Sequence, residues 1–245
     1  SDGAMRYIEA LRRAGDNGKA LKLVRDTWAR SFFGAAQETM FLKRYRTMLG
    51  PDDHWLRLDR LLWDGRRDEA QRMLSRVDGD HRLLADARLR LATMAGGVDA
   101  ALKKVPAHLS ADPGLAYERL RWRRRKGQDT GAREALRDAP PDLGRPDLWW
   151  NERAFLARAS INAGRMREAY AVANDHRMMT GSGLADAEFL SGWIALRFMN
   201  DPKAALAHFS KLYDAVRFPV SLARGAYWAG RAATAAGDAD AATLW

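Results

Sequence analysis

The side chains in this chain that invite a chemical reading are cationic and aromatic. Arg121-Trp122-Arg123-Arg124-Arg125-Lys126 is its sharpest charge feature. On a helix, Arg121, Arg124 and Arg125 share one face while Trp122 points elsewhere, which predicts a basic stripe backed by a buried indole. Guanidinium groups so arrayed suit forked contacts with carboxylate or phosphate, and these three are the candidate substrate-binding residues. The same run also reads as a solvated helix end whose positive charge complements the helix dipole ahead of Gly127. Trp149-Trp150 follows a Pro-rich loop; such a pair either stacks on sugar rings or anchors a helix in the core.

Reaction chemistry has little to build on. The five His, at 54, 81, 108, 176 and 208, contain no i, i+4 pair of the kind a helical zinc site needs. There is no Cys, so thiolate ligands, thiol nucleophiles and disulfides are excluded. No glycine-rich phosphate loop and no nucleophile elbow occurs. Asp52-Asp53 and Asp68-Glu69 follow Pro51 and Gly65, where acidic groups favour a helix start, so capping accounts for them. No catalytic residue, metal ligand or cofactor is expected.

The elements that must carry these side chains show in a repeat. Gly, once Asn, is followed five residues later by Ala at Gly15/Ala20, Gly65/Ala70, Gly96/Ala101, Gly127/Ala132, Gly164/Ala169, Asn200/Ala205 and Gly237/Ala242. The physical reading is a helical hairpin, in which Gly takes the left-handed conformation that ends one helix and the small Ala lets the next approach closely. Breaks separate the hairpins at Gly50-Pro51, Asp78-Gly79-Asp80, Asp112-Pro113-Gly114, Ala139 to Pro146, Gly181-Ser182-Gly183 and Phe218-Pro219. The wide first gap predicts one unmatched helix around Ala35 to Met48, turned at Phe33-Gly34. The expectation is an all-α solenoid, a tetratricopeptide-like superhelix of about fifteen helices.

The chain has 245 residues, 47% of them apolar, and a formal net charge of +10. That composition belongs to a globular protein, and no apolar run is long enough to span a membrane. The excess charge favours an anionic partner. Ser1 to Met5 reads as an expression scar, leaving residues 6–245 as a single superhelical domain. Asp238 to Trp245 open a helix that has no room for three turns, so the domain is expected to be truncated ahead of further sequence.

Three stretches, WWNERAFLARASINAGRMREAYAVANDH from Trp149 to His176, ADAEFLSGWIALRFMNDPKAALAHF from Ala185 to Phe209, and SLARGAYWAGRAATAAGD from Ser221 to Asp238, carry a resemblance. Together with Arg57 to Leu74 and Asp112 to Gly127, the chain resembles the soluble lytic murein transglycosylases of Gram-negative bacteria. What the resemblance implies is a periplasmic protein whose parent cleaves the MurNAc–GlcNAc bond without water to a 1,6-anhydromuramyl end. It further implies an N-terminal α-superhelix that holds peptidoglycan beside a C-terminal lysozyme-like catalytic domain. The family's catalytic motif is Glu-Ser, whereas the eight Glu here are followed by Ala, Thr, Arg or Phe. The catalytic domain is therefore expected beyond Trp245, and this chain alone is expected to be inactive. Matching positions are Trp193, Arg197, His208, Phe209, Arg224, Tyr227, Trp228 and Arg231. From the residues themselves, the aromatic groups would fill seams between hairpins and the Arg and His would satisfy carbonyls at helix ends. The alternative reading is a tetratricopeptide-like adaptor that binds a protein segment and has no enzymatic activity. A nucleic-acid-binding solenoid is not expected, because the Trp fall mostly at core positions of the repeat.

Overall fold

The computed structural model describes residues 2–245, and among these every regular element is helical. Fifteen α-helices follow one another: α1 Asp2–Arg13, α2 Asn17–Arg30, α3 Ala35–Tyr45, α4 Pro51–Trp63, α5 Arg67–Met73, α6 Gly79–Thr93, α7 Val98–Lys104, α8 Pro113–Arg125, α9 Asp129–Arg137, α10 Pro146–Asn162, α11 Met166–Asn174, α12 Ser182–Phe198, α13 Pro202–Ala215, α14 Pro219–Ala236 and α15 Ala239–Leu244. This is the all-α fold of helical hairpins that the repeat predicts, and α3 is the unmatched helix. Contacts divide the chain into two compact units, residues 1–122 and 123–245.

The hairpin turns work as the glycines require. Gly15, Gly65, Gly127, Gly164 and Gly237 have φ between 67° and 79°, and Asn200 has φ 53°. The next residue then reaches back, as when Asp16 N–H donates to the Leu11 carbonyl at 2.9 Å and Asp238 N–H to Ala233 at 3.0 Å, which closes the last turn of the preceding helix. Where that next residue is Asp it also starts the following helix: Asp16, Asp201 and Asp238 accept from backbone N–H groups three residues on. The third hairpin departs from expectation. Its left-handed residues are Met94 and Gly97, not Gly96, and Ala95 N–H closes the helix on the Arg90 carbonyl at 3.0 Å. The helix thus ends two residues early, and Gly96 serves only as an acceptor for Arg90.

Close approach follows from the small residues. Ala70, Ala132, Ala169 and Ala205 are wholly buried and Ala101 is nearly so. In the first unit, Trp28 stacks on Phe41 at 5.8 Å amid Ile8, Val24, Tyr45, Leu58 and Met73. In the second unit, Trp150, Ala157, Ala173 and Ile194 form one cluster, and Ala195, Phe209, Ala229 and Ala232 another. Trp149 and Trp150 are core anchors, their indole N–H groups donating to the Leu143 carbonyl and to Asp186, each at 3.0 Å.

Charge enters these cores as well. Arg57 is fully buried, donating to the Trp28 and Ser31 carbonyls and pairing with Glu38 at 3.3 Å, with its guanidinium 4.4 Å from the Trp28 ring. Arg88 is buried against Asp59 and lies 5.2 Å from Trp63. Arg153 pairs with Asp175 at 2.9 Å and donates to Val172. A buried cation is tolerated only when paired and hydrogen-bonded, and each of these has both.

Candidate functional site

The basic run occupies the last turns of α8, and its side chains are committed locally. In the first unit, Arg121 donates to both oxygens of Glu118 at 3.2 Å and lies 5.4 Å from the Tyr117 ring. In the second unit, Arg124 forks onto Glu152 and covers Phe155 at 4.8 Å, while Arg123 donates to the Gly131 carbonyl at 2.8 Å. Arg125 is exposed and Trp122 half-buried. The expected indole is thus half-buried and not buried, and of the three arginines of the expected face only Arg125 is exposed, Arg121 and Arg124 being half-buried. Glu118 and Glu152 hold Arg121 and Arg124 half-buried, an arrangement that the spacing of the arginines alone could not reveal.

A second charged group was hidden in the sequence. Glu188 of α12 is 2% exposed and accepts from His176 Nε2 at 3.3 Å and His208 Nδ1 at 2.5 Å, with Lys211 Nζ at 3.8 Å. Met178 N–H donates to His176 Nδ1 at 3.0 Å, so the His176 proton facing Glu188 is on Nε2. His208 Nε2 meets the Tyr170 hydroxyl at 3.0 Å. Burial pushes the Glu188 carboxyl up, but the hydrogen bonds from His176 and His208 and the charges of His208 and Lys211 outweigh it, and the group is brought down to about 2. Such a carboxylate is an anchor tying α11, α12 and α13 together and a poor proton donor near neutrality. Its members come from α12, α13 and the connection after α11, and the sequence flanking Glu188, Ala187 and Phe189, gives no sign of them.

The positions singled out by resemblance divide by role. Phe209 is fully buried, 5.8 Å from Trp228. Two glycines beside them allow the helices to touch: a Cβ on Gly192 would lie 2.8 Å from the Phe209 ring, and one on Gly225 would lie 2.8 Å from Leu212 and 3.2 Å from the Tyr213 backbone. Tyr227 is exposed and accepts from Arg231 at 3.2 Å. The expectation that Arg and His here satisfy helix-end carbonyls fails: His208 bonds Glu188 and Tyr170, Arg231 bonds Tyr227, and Arg224 lies 4.6 Å over the Phe189 ring. The seam is filled by rings, Phe189, Phe209 and Trp228 packing within about 6 Å of one another.

Compared with protein-family models, curated proteins and solved structures, the chain matches none.

Charged side chains line cavities in both units; that of the first, about 980 Å³, has Arg6, Glu9, Arg13, Lys43 and Arg44 on its walls, and others lie in the second. One, of about 510 Å³, is flanked by Arg133, Arg153, Glu168 and Asp175. Its charges are matched within the protein, Arg133 to Glu168 at 3.1 Å and Arg153 to Asp175. Another, of about 460 Å³, lies among α10, α12 and α14, with Phe189, Trp193 and Arg224 on its walls. Among the described residues no cluster of three or more His, Asp or Glu is placed to hold a metal ion, and no helix is long and apolar enough to cross a membrane.

Proposed function

We propose that this chain is the peptidoglycan-holding helical scaffold of a periplasmic lytic transglycosylase, acting beside a lysozyme-like catalytic domain of the same protein. The observation that carries the reading is how residues within the resembling stretches 185–209 and 221–238 are used. Gly192, Phe209, Gly225 and Trp228 lock α12, α13 and α14 side to side, which is the work of a scaffold. Glu188 supports it too, since the carboxylate most enclosed by histidines is held ionised and cannot protonate a glycosidic oxygen at neutral pH. The net charge of +10 supplies long-range attraction for a polymer whose stem peptides carry carboxylates.

Sedimentation with purified sacculi tests the proposal. The chain should pellet with sacculi at low salt and be released as the Debye length falls from about 10 Å at 0.1 M towards 3 Å at 1 M. It should release no anhydromuropeptides on its own. Replacement of Arg121, Arg124 and Arg125 together by Ala compares the α8 run with the rest of the surface. Because two of the three are already paired, the triple variant should keep most of the binding. Failure of the wild-type chain to pellet at any salt concentration would overturn the proposal.

A further inference from the structure

Arg224 differs from the wholly buried arginines of the chain. Arg57, Arg88 and Arg153 each leave Nε without a partner but pair their terminal nitrogens with a carboxylate. Arg224 is half-buried with its Nε enclosed and unpartnered, no carboxylate among the described residues pairs with its guanidinium, and that group lies 4.6 Å over the Phe189 ring. A buried donor left unsatisfied is costly, and in a native protein it asks for an explanation. Arg224 lines the cavity of about 460 Å³, within the range of roughly 300–1,000 Å³ usual for small-molecule sites.

The other walls of that cavity are of two kinds. Trp193 and Phe189 are both half-buried, with Phe198 at right angles to Trp193 at 5.0 Å. Aromatic faces of this kind receive the C–H face of a pyranose ring, since a large apolar surface with a polar edge suits an amphipathic ligand. Asn162 and Asp186 supply amide and carboxylate groups at the rim. Arg158 stands 3.7 Å from the Asp186 oxygen that also accepts from the Trp150 indole, and both side chains are about half exposed. Asp186 offsets one of the two cations, so the pocket carries one net positive charge, and it belongs to Arg224.

We infer that this cavity binds a carboxylate-bearing saccharide unit, with the ring against Trp193 and the carboxylate forked onto Arg224. A neutral sugar would use the ring contact and leave Arg224 uncompensated. The inference deepens the peptidoglycan reading, on which it rests for the choice of sugar, by assigning that polymer's acidic sugar to one place on the chain.

The test uses the full chain and two probes, N-acetylmuramic acid and neutral N-acetylglucosamine, followed by NMR of the indole N–H signals. The Trp193 signal among the nine Trp is identified by its loss in Trp193→Phe. N-Acetylmuramic acid should shift that signal saturably, and N-acetylglucosamine should bind at least about tenfold more weakly, one charge-assisted fork being worth that factor or more. Arg224→Gln, checked for folding by circular dichroism, should weaken the acidic sugar by about tenfold or more and leave the neutral one unchanged. Arg158→Gln, at the exposed rim and already offset by Asp186, should weaken the acidic sugar far less than Arg224→Gln does; an equal loss in the two variants would overturn the assignment to Arg224. Equal affinity for the two sugars, or an unmoved Trp193 signal, overturns the inference. If the chain still pellets with sacculi in that case, the site is wrong and the scaffold reading stands; if it does not pellet, the scaffold reading fails as well.

Discussion

Gly225 and Gly230 lie on the same helix, and replacing each with Ala should move stability in opposite directions. In a helix interior the exchange alone stabilises by about 0.5–1 kcal/mol, because Gly loses more backbone freedom on folding. At Gly225 the new Cβ would sit 2.8 Å from Leu212 Cδ2, 3.1 Å from Tyr213 Cβ and 3.2 Å from Tyr213 Cα. The last of these is backbone of α13 and cannot swing aside, and Leu212 is wholly buried. Overpacking of that kind costs about 1–3 kcal/mol, so Gly225→Ala should lose roughly 1–2 kcal/mol net of the helix gain. At Gly230 the nearest atom is Trp245 Cβ at 3.5 Å, an ordinary contact, and Gly230→Ala should gain up to about 1 kcal/mol. Urea unfolding followed by far-ultraviolet circular dichroism reads both changes as midpoint shifts. If Gly225→Ala raises the midpoint as Gly230→Ala does, the close approach of α13 and α14 is not what fixes glycine there.

Gly192→Ala should behave like Gly225→Ala, since its Cβ would meet the immobile Phe209 ring at 2.8 Å; a neutral midpoint would show that the ring yields. Glu188 is held at about 2 against an ordinary 4.5, so its contribution, on the order of 3 kcal/mol, is in place above about pH 4.5 and is lost as pH falls towards 2. Acid titration of stability should therefore be shallower in Glu188→Gln than in wild type between those limits, and coincident curves would refute the assignment. Arg57→Ala should cost about 2–4 kcal/mol by opening a void beside Trp28 and leaving the buried Glu38 with Arg72 alone, 3.4 Å away, and Arg57→Met with Glu38→Leu should recover at least half of it in urea unfolding. Tyr45, buried and hydrogen-bonded to Glu9 at 3.1 Å, is pushed up to about 12, burial contributing most; absorbance titration should show one of the six tyrosines ionising there.

Much of the fold was legible because hairpin turns are local chemistry. A left-handed residue and an Ala at the contact fall within six residues, and they read correctly at Gly15, Gly65, Gly127, Gly164 and Asn200. The third hairpin misled because Met94 adopts a conformation that favours glycine while two glycines stand close by. Pairings across helices left no local trace. His208 meets Tyr170 across 38 residues and Glu188 across 20, and Arg124 meets Glu152 across 28. Buried arginines were equally silent, since a lone Arg in an amphipathic pattern defaults to the surface. Arg224 was singled out by its place in a resembling stretch, but its lack of a carboxylate partner is visible only in three dimensions.

Within each unit, helices pack chiefly on their chain neighbours, α1 on α2, α6 on α7, α12 on α13 and α13 on α14. Forming such contacts closes short loops, so little chain entropy is lost before the first pairings are rewarded. Refolding of either unit should accordingly begin at several hairpins in parallel and proceed without waiting for distant segments to meet. The same locality confines damage: a substitution in one hairpin is felt by the pair on either side and fades beyond it, which lets such a chain drift in sequence one hairpin at a time while its neighbours hold their geometry.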